Sequence, residues 1–211
     1  MSNLAETARE AVTSATQSFT PLKSVCVWLN GFHIYADDLH RNVEANHYCS
    51  QIKPDLKQCL LYDSSDKDAR LIGVEYMIPI ERFETLPPDE KKLWHTHFCE
   101  VKCGILTMPK PTGVPSAVWE ASETAEMKEL VKWVGKTYHF WQVDRGDALP
   151  LGEPKLMMSI NSEEQLDLQK IKLRDDREAV DRQHKCAVRK DIQLPEAPIG
   201  ADAFNNVKFC V

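Results

Sequence analysis

Long apolar runs are missing from this 211-residue sequence. Runs such as Leu71-Ile72-Gly73-Val74 and Met77-Ile78-Pro79-Ile80 are cut by Glu75 and Glu81, far short of the roughly 18 residues that a spanning helix needs. No transmembrane segment is expected. Basic blocks are missing too. With 26 basic against 32 acidic residues and a net charge of −6, the chain has no electrostatic grip on nucleic acid or anionic lipid. The stretch from Met1 to Thr20 has no apolar core of the secretory type. Nucleophile-elbow, phosphate-loop and dinucleotide fingerprints are absent, which removes familiar hydrolases and any nucleotide cofactor. Zinc-type Cys-x-x-Cys spacing is absent as well. The seven cysteines, at 26, 49, 59, 99, 103, 186 and 210, show no regular pairing. With no secretory segment, they imply reduced thiols in a cytoplasmic protein rather than a disulfide framework.

What is there is an average globular composition, 43% hydrophobic and 27% charged, enough to close one core. Asn3, with Glu6 three residues on, caps a first helix whose narrow stripe of Leu4, Ala8, Ala11, Ala15 and Phe19 fits docking onto its own domain better than a membrane surface. Cys26 to His47 reads as a buried helical segment. Strands are expected at Gln58 to Asp63, Arg70 to Ile80, His97 to Met108, Thr137 to Val143 and Lys155 to Ile160. Pro87-Pro88-Asp89-Glu90 opens a short helix through Leu93. A second helix runs from Val118 to Val134, with Gly135 at its C-terminal cap. Glu163 to Lys190 reads as one charged, solvated helix packed by one edge, and the end from Leu194 as loop. The sum is α+β, a single domain with a mainly antiparallel sheet of about five strands, helices at both chain ends and one between strand groups. The boundaries are an N-terminal helix over 1–20, the α+β domain over 21–162 and a charged helix and tail over 163–211.

The densest chemistry sits in Trp94-His95-Thr96-His97-Phe98-Cys99-Glu100, where two imidazoles, a thiol and a carboxylate are all donors to first-row metals. An extended segment points His95, His97 and Cys99 to one face and Glu100 to the other. A helix would instead bring His97 and Glu100 together. His139 is the natural distant partner, with His47 and His33 beyond it. The competing account is a set of ordinary hydrogen-bonded histidines. Cys99 and Cys103 read as packing cysteines. Asp144-Arg145-Gly146-Asp147 reads as a salt-bridged turn or an acid/base pair.

Gly31-Phe32-His33, His47-Tyr48-Cys49-Ser50, Gln58 to Ser64, Asp68 to Tyr76, Leu86-Pro87, Glu90 to His95 with His97, Glu100-Val101-Lys102, Gly135-Lys136-Thr137 with His139, Trp141 to Asp147, Leu149 to Gly152 and Leu156 to Ser159 together resemble the blocks of the oil body-associated protein family, over roughly residues 20 to 160. Cys99 and Cys103 stand where the resemblance leads one to expect an aromatic and a serine. The family is named for plant members found with seed oil bodies, has fungal and bacterial relatives, and carries no assigned reaction. The resemblance implies a shared pocket, because the histidines fall within its blocks. Two functions follow as expectations. One is an isomerase, lyase, cyclase or hydrolase in which one divalent ion (zinc, iron or manganese) sits on His95, His97, Glu100 and His139. There Glu100, Asp144 and Asp147 serve as catalytic groups, and His33, His47, Trp94 and Trp141 line a pocket for a small or lipid-derived ligand. The other is a non-enzymatic protein, associated peripherally with lipid droplets or with other proteins.

Overall fold

In the computed structural model, which describes residues 4–205, the segment expected to be helical is a long antiparallel hairpin of β1 (Val25–Tyr35) and β2 (Asp38–Lys53). Both faces of β1 are buried from Leu29 onward. Its apolar residues therefore show none of the alternation by which a half-exposed strand is read. β3 (Leu56–Tyr62) and β4 (Leu71–Pro79) follow where strands were expected. The two-residue β5 (His95–Thr96), β6 (Trp133–His139) and β7 (Lys155–Ser159) complete the sheet.

Every pairing is antiparallel. Because β4 pairs with β6 and β7 returns to β1, the sheet closes into a six-stranded barrel in the order β1-β2-β3-β4-β6-β7, with β5 added beside β6. The antiparallel α+β class holds, but an open sheet of about five strands does not. Closure removes the sheet edges.

Seven α-helices lie among the described residues: α1 (Leu4–Thr16), α2 (Ile80–Phe83), α3 (Pro88–Lys91), α4 (Phe98–Lys102), α5 (Ser116–Leu130), α6 (Leu168–Glu178) and α7 (Arg182–Arg189). Inward residues Leu29, Tyr35, Val43, Leu61 and Met77 pack with Met127 and Leu130 of α5. Phe32, Ile34, Met158 and Ile160 face outward and are covered by Cys99, Cys103, Ile105 and Ile171. A third cluster joins Ile78 and Val134 to Phe83 and Trp94.

Several sequence expectations change. His97 to Met108 is not a strand, since extended backbone stops at Thr96 and α4 begins at Phe98. Gly135 is not a helix cap. It lies inside β6, and the apolar periodicity carried past Leu130 because helix end and strand start bury consecutive residues. The C-terminal helix is two helices, broken where Ala179 adopts a left-handed conformation (φ 51°) and restarted by Asp181, whose carboxylate caps α7 through His184 N at 2.9 Å. α1 buries no residue, so it does not dock on the domain. Its expected cap, Asn3, lies outside the described residues, as does Cys210. Cys49 and Cys59, directly opposite across β2 and β3, form a disulfide. The expectation of uniformly reduced thiols fails because strand register brings together two cysteines ten residues apart.

Candidate metal centre

Strand alternation alone puts polar groups inside this barrel. Inward positions on β4 run Gly73, Glu75, Met77, and their partners on β6 are His139, Thr137 and Gly135. On β1 and β2, Gly31 pairs with Ala45 between His33 and His47. Two small residues there let the imidazoles meet, with Nε2 atoms 3.2 Å apart. His33 Nδ1 lies 3.0 Å from His139 Nε2. His95 enters from β5 directly opposite Gly135, and directly opposed residues share a face. Glu75 stands at the centre: its Oε2 is 3.4 Å from His47 Nε2, and its Oε1 is 3.3 Å from His95 Nε2 and 3.9 Å from His97 Nε2. Glycine at 135 is required by this approach, since a β-carbon there would overlap the Glu75 carboxylate and come within 2.8 Å of His95 Nε2.

The two geometries open for the His95 to Glu100 segment are both used. His95 belongs to a strand and faces inward. His97, at φ −102° and ψ 15°, turns the chain into α4, so that His97 and Glu100 share one helical face with Nδ1 2.7 Å from Oε1. The tail holds β5 in place, because the Asp202 carboxylate accepts from Thr96 N at 3.0 Å and Thr96 Oγ1 at 2.8 Å.

His33, His47, Glu75, His95, His97, Glu100 and His139 are all at most 5% exposed. Burial, then the neighbouring His47, pushes His33 and His139 down, His139 to about 3. Burial likewise lowers His47. These imidazoles are neutral near pH 7, the form that binds metal. His97 moves the other way. Burial pulls its pKa down, but the hydrogen bond and charge of Glu100 outweigh it. Burial pushes Glu75 up, but His95, His47 and His97 outweigh that and hold it ionised. The cavity thus offers an interior carboxylate to a cation.

His33, Glu75 and His95 each present a donor atom with all three within 4.8 Å of one another. Among the described residues, His95 Nδ1, His139 Nδ1 and Thr137 Oγ1 are buried without a hydrogen-bond partner, while Glu75 Oε1, His95 Nε2 and His97 Nε2 have only one another, at 3.3 and 3.9 Å. Unsatisfied buried polar atoms are costly, and an ion beside Glu75 Oε1 and one ring nitrogen of His95 would partner both. Two imidazoles and one carboxylate are a donor set used for divalent first-row metals with open positions.

A family model described as "Protein of unknown function (DUF1264)" matches residues 19–193. "Oil body-associated protein 1A" of Zea mays is 50% identical over 157 residues, covering 74% of this chain and 63% of that protein. "Oil body-associated protein 1B" of Arabidopsis thaliana is 46% identical over 157 residues, covering 74% and 62%. The chain belongs to this family. "Oil body-associated protein 2A" of Zea mays, at 39% identity, aligns over 90% of this chain and 74% of its own length. The chain spans under two thirds of the first two oil body-associated relatives. No solved structure matches.

Of the residues singled out in the sequence of this family member, the structure brings His33, His47, His95, His97, Glu100 and His139 together. Four others it does not bring there. Trp94 packs on the outer side with Ile78, Phe83 and Val134 and donates to Glu90 at 3.0 Å. Trp141 donates to the Asp147 carbonyl at 2.8 Å. Asp144 is held by Tyr35 Oη and Arg41, both at 2.6 Å, and the Asp147 carboxylate by Arg145. Glu75 was missed. Its signal was a lone carboxylate in phase with Gly73 and Met77, visible only once the inward face of β4 is known.

Proposed function

We propose that this oil body-associated family member is a metal-dependent enzyme whose divalent ion sits on His33, Glu75 and His95. The observation that carries the reading is the convergence of those three donors inside a closed barrel, within 4.8 Å and surrounded by orphaned ring nitrogens. The bound ion would supply Lewis acidity and an activated water or ligand. His97 and Glu100 line the same cavity, and their 2.7 Å hydrogen bond suits proton transfer at its edge. His139, 3.0 Å from His33 Nδ1, would orient that ring, and His33 Nε2, 3.2 Å from His47 Nε2, would be the atom given to the ion. This ligand set retains His95 from the sequence expectation and exchanges His97, Glu100 and His139 for His33 and Glu75.

Metal analysis of purified protein tests the proposal. Stoichiometric zinc, iron or manganese should appear in the wild type, with affinity falling about 100-fold or more in His33→Ala, His95→Ala and Glu75→Gln. Retention of the same ion by Glu75→Gln at unchanged affinity would end the reading.

A second proposal concerns location. The relatives carry oil bodies in their names, and α1 leaves Leu4 93% and Val12 62% exposed. No described helix is long and apolar enough to cross a membrane, so association with a lipid droplet would be peripheral and through this helix.

A further inference from the structure

Cys26 lies beside the barrel's disulfide, and solvent reaches the three cysteines very unequally. Cys49 and Cys59, joined across β2 and β3, are 4% and 2% exposed. A thiol in solution therefore meets almost no surface of that bond, and thiol–disulfide exchange depends on access. Cys26 is exposed, whereas Cys99 and Cys103 are buried and Cys186 is half-buried. The register of the first hairpin places Cys26 there. Val25 pairs with Ser50 and Val27 with Cys49, so two steps along β1 meet one step along β2, and Cys26 is the extra residue of a bulge. A bulged residue makes no ladder pair and its side chain is re-aimed. Here Cys26 Sγ donates to the Cys49 carbonyl at 3.6 Å. Cys26 and Cys49 also line one cavity of about 70 Å³, and Cys59 is not in its wall. A nucleophile arriving from Cys26 meets Cys49 first, with Cys59 as the leaving group.

We propose that Cys26 is a thiol–disulfide exchange site, through which a low-molecular-weight thiol of the glutathione class, or its disulfide, opens and re-forms Cys49–Cys59. The proposal stands apart from the metal reading. The first step is an exchange within the chain, with no net oxidation. The Cys26 thiolate attacks Cys49 Sγ, the Cys26–Cys49 bond forms as Cys49–Cys59 breaks, and Cys59 leaves as a thiolate that takes up the proton Cys26 gave up. The cavity beside Cys26 gives its sulfur room to leave the carbonyl and turn toward Cys49. Exchange brings the disulfide to an exposed sulfur. An external thiolate then attacks Cys26 Sγ, leaving a mixed disulfide on Cys26 and releasing Cys49 as a thiol. A second external thiol resolves that mixed disulfide. Two external thiols are thus oxidised to one disulfide while Cys49 and Cys59 are reduced, and with the external disulfide as reactant the same steps run in reverse.

The test uses the full-length folded protein with reduced glutathione as the probe, acid quenching, alkylation of thiols and mass spectrometry of each cysteine. Cys26→Ser, which keeps a hydrogen-bond donor for the Cys49 carbonyl, should lose Cys49–Cys59 about tenfold or more slowly than wild type, at an unchanged melting temperature. Equal rates in the two proteins overturn the proposal. In Cys59→Ser, glutathione disulfide should first place glutathione on Cys26 and then yield a Cys26–Cys49 crosslink. Glutathione that stays on Cys26 while Cys49 remains a thiol overturns the exchange step. Protein isolated with Cys49 and Cys59 reduced is followed in the oxidising direction with glutathione disulfide, where Cys26→Ser should slow bond formation by a similar factor. Failure of the bond to form in wild type overturns the proposal as well.

Discussion

At Gly135 the absence of a side chain is a requirement of the site. Glu75 lies diagonally across β6 from it and His95 lies directly opposite, so a methyl group has nowhere to go except into the carboxylate. Gly135→Ala should therefore cost about 1–3 kcal/mol, the range of overpacked cores, and should weaken metal binding more than its effect on folding explains. Chemical denaturation and metal titration on the same sample check both. Asp144 behaves differently, because it serves the barrel's end rather than its centre. Burial raises its pKa, but the hydrogen bonds from Tyr35 and Arg41 outweigh that and lower it. A carboxyl depressed in the folded state adds stability that is complete above its unfolded pKa of about 3.9 and is lost as pH falls through the folded value. Asp144→Asn should accordingly be less stable than wild type near pH 7, with the gap closing below roughly pH 4 in denaturation curves taken across pH.

Among the elements, the join of β5 to α4 decides whether the site exists. Two extended residues orient His95, one residue of intermediate backbone carries His97, and the first turn of helix returns Glu100 to His97. The sequence presents this segment as a choice between strand and helix, because periodicity averages over a longer window than the switch occupies. β3, β4, β7 and α3 were legible, being bounded by turn residues or opened by proline. β1 and β2 were not, since burial on both faces erases alternation. Barrel closure was equally hidden, for it lies in the pairing of β4 with β6, which no local pattern encodes. The tail read as loop conceals the clamp on β5. Asp202→Ala removes two hydrogen bonds to Thr96, one of them to a buried backbone N–H, and should lower stability by about 1–3 kcal/mol. It should also reduce metal affinity, since His95 is the next residue. Restoration of affinity without restoration of stability in a second-site variant would separate the two effects.

Over the whole molecule, the closed barrel and the exposed first helix differ sharply in what they contribute. The barrel's interior, its covering helices and the Cys49–Cys59 crosslink all bury surface or restrict the unfolded chain. That crosslink closes a short loop already shaped as a hairpin, so reducing it should cost at most about 3 kcal/mol. The helix α1 does neither, because none of its residues is buried. Apolar side chains left in water on an amphipathic helix contribute nothing to the fold, and a 13-residue helix without tertiary packing is marginal in water. Deleting residues 1–19 should therefore leave the melting temperature and metal content unchanged, with stability altered by no more than about 0.5 kcal/mol. The same deletion should abolish flotation of the protein with artificial triacylglycerol droplets if α1 is the contact with lipid. A truncated protein that still floats, with its barrel intact, would move the contact onto the barrel's own surface.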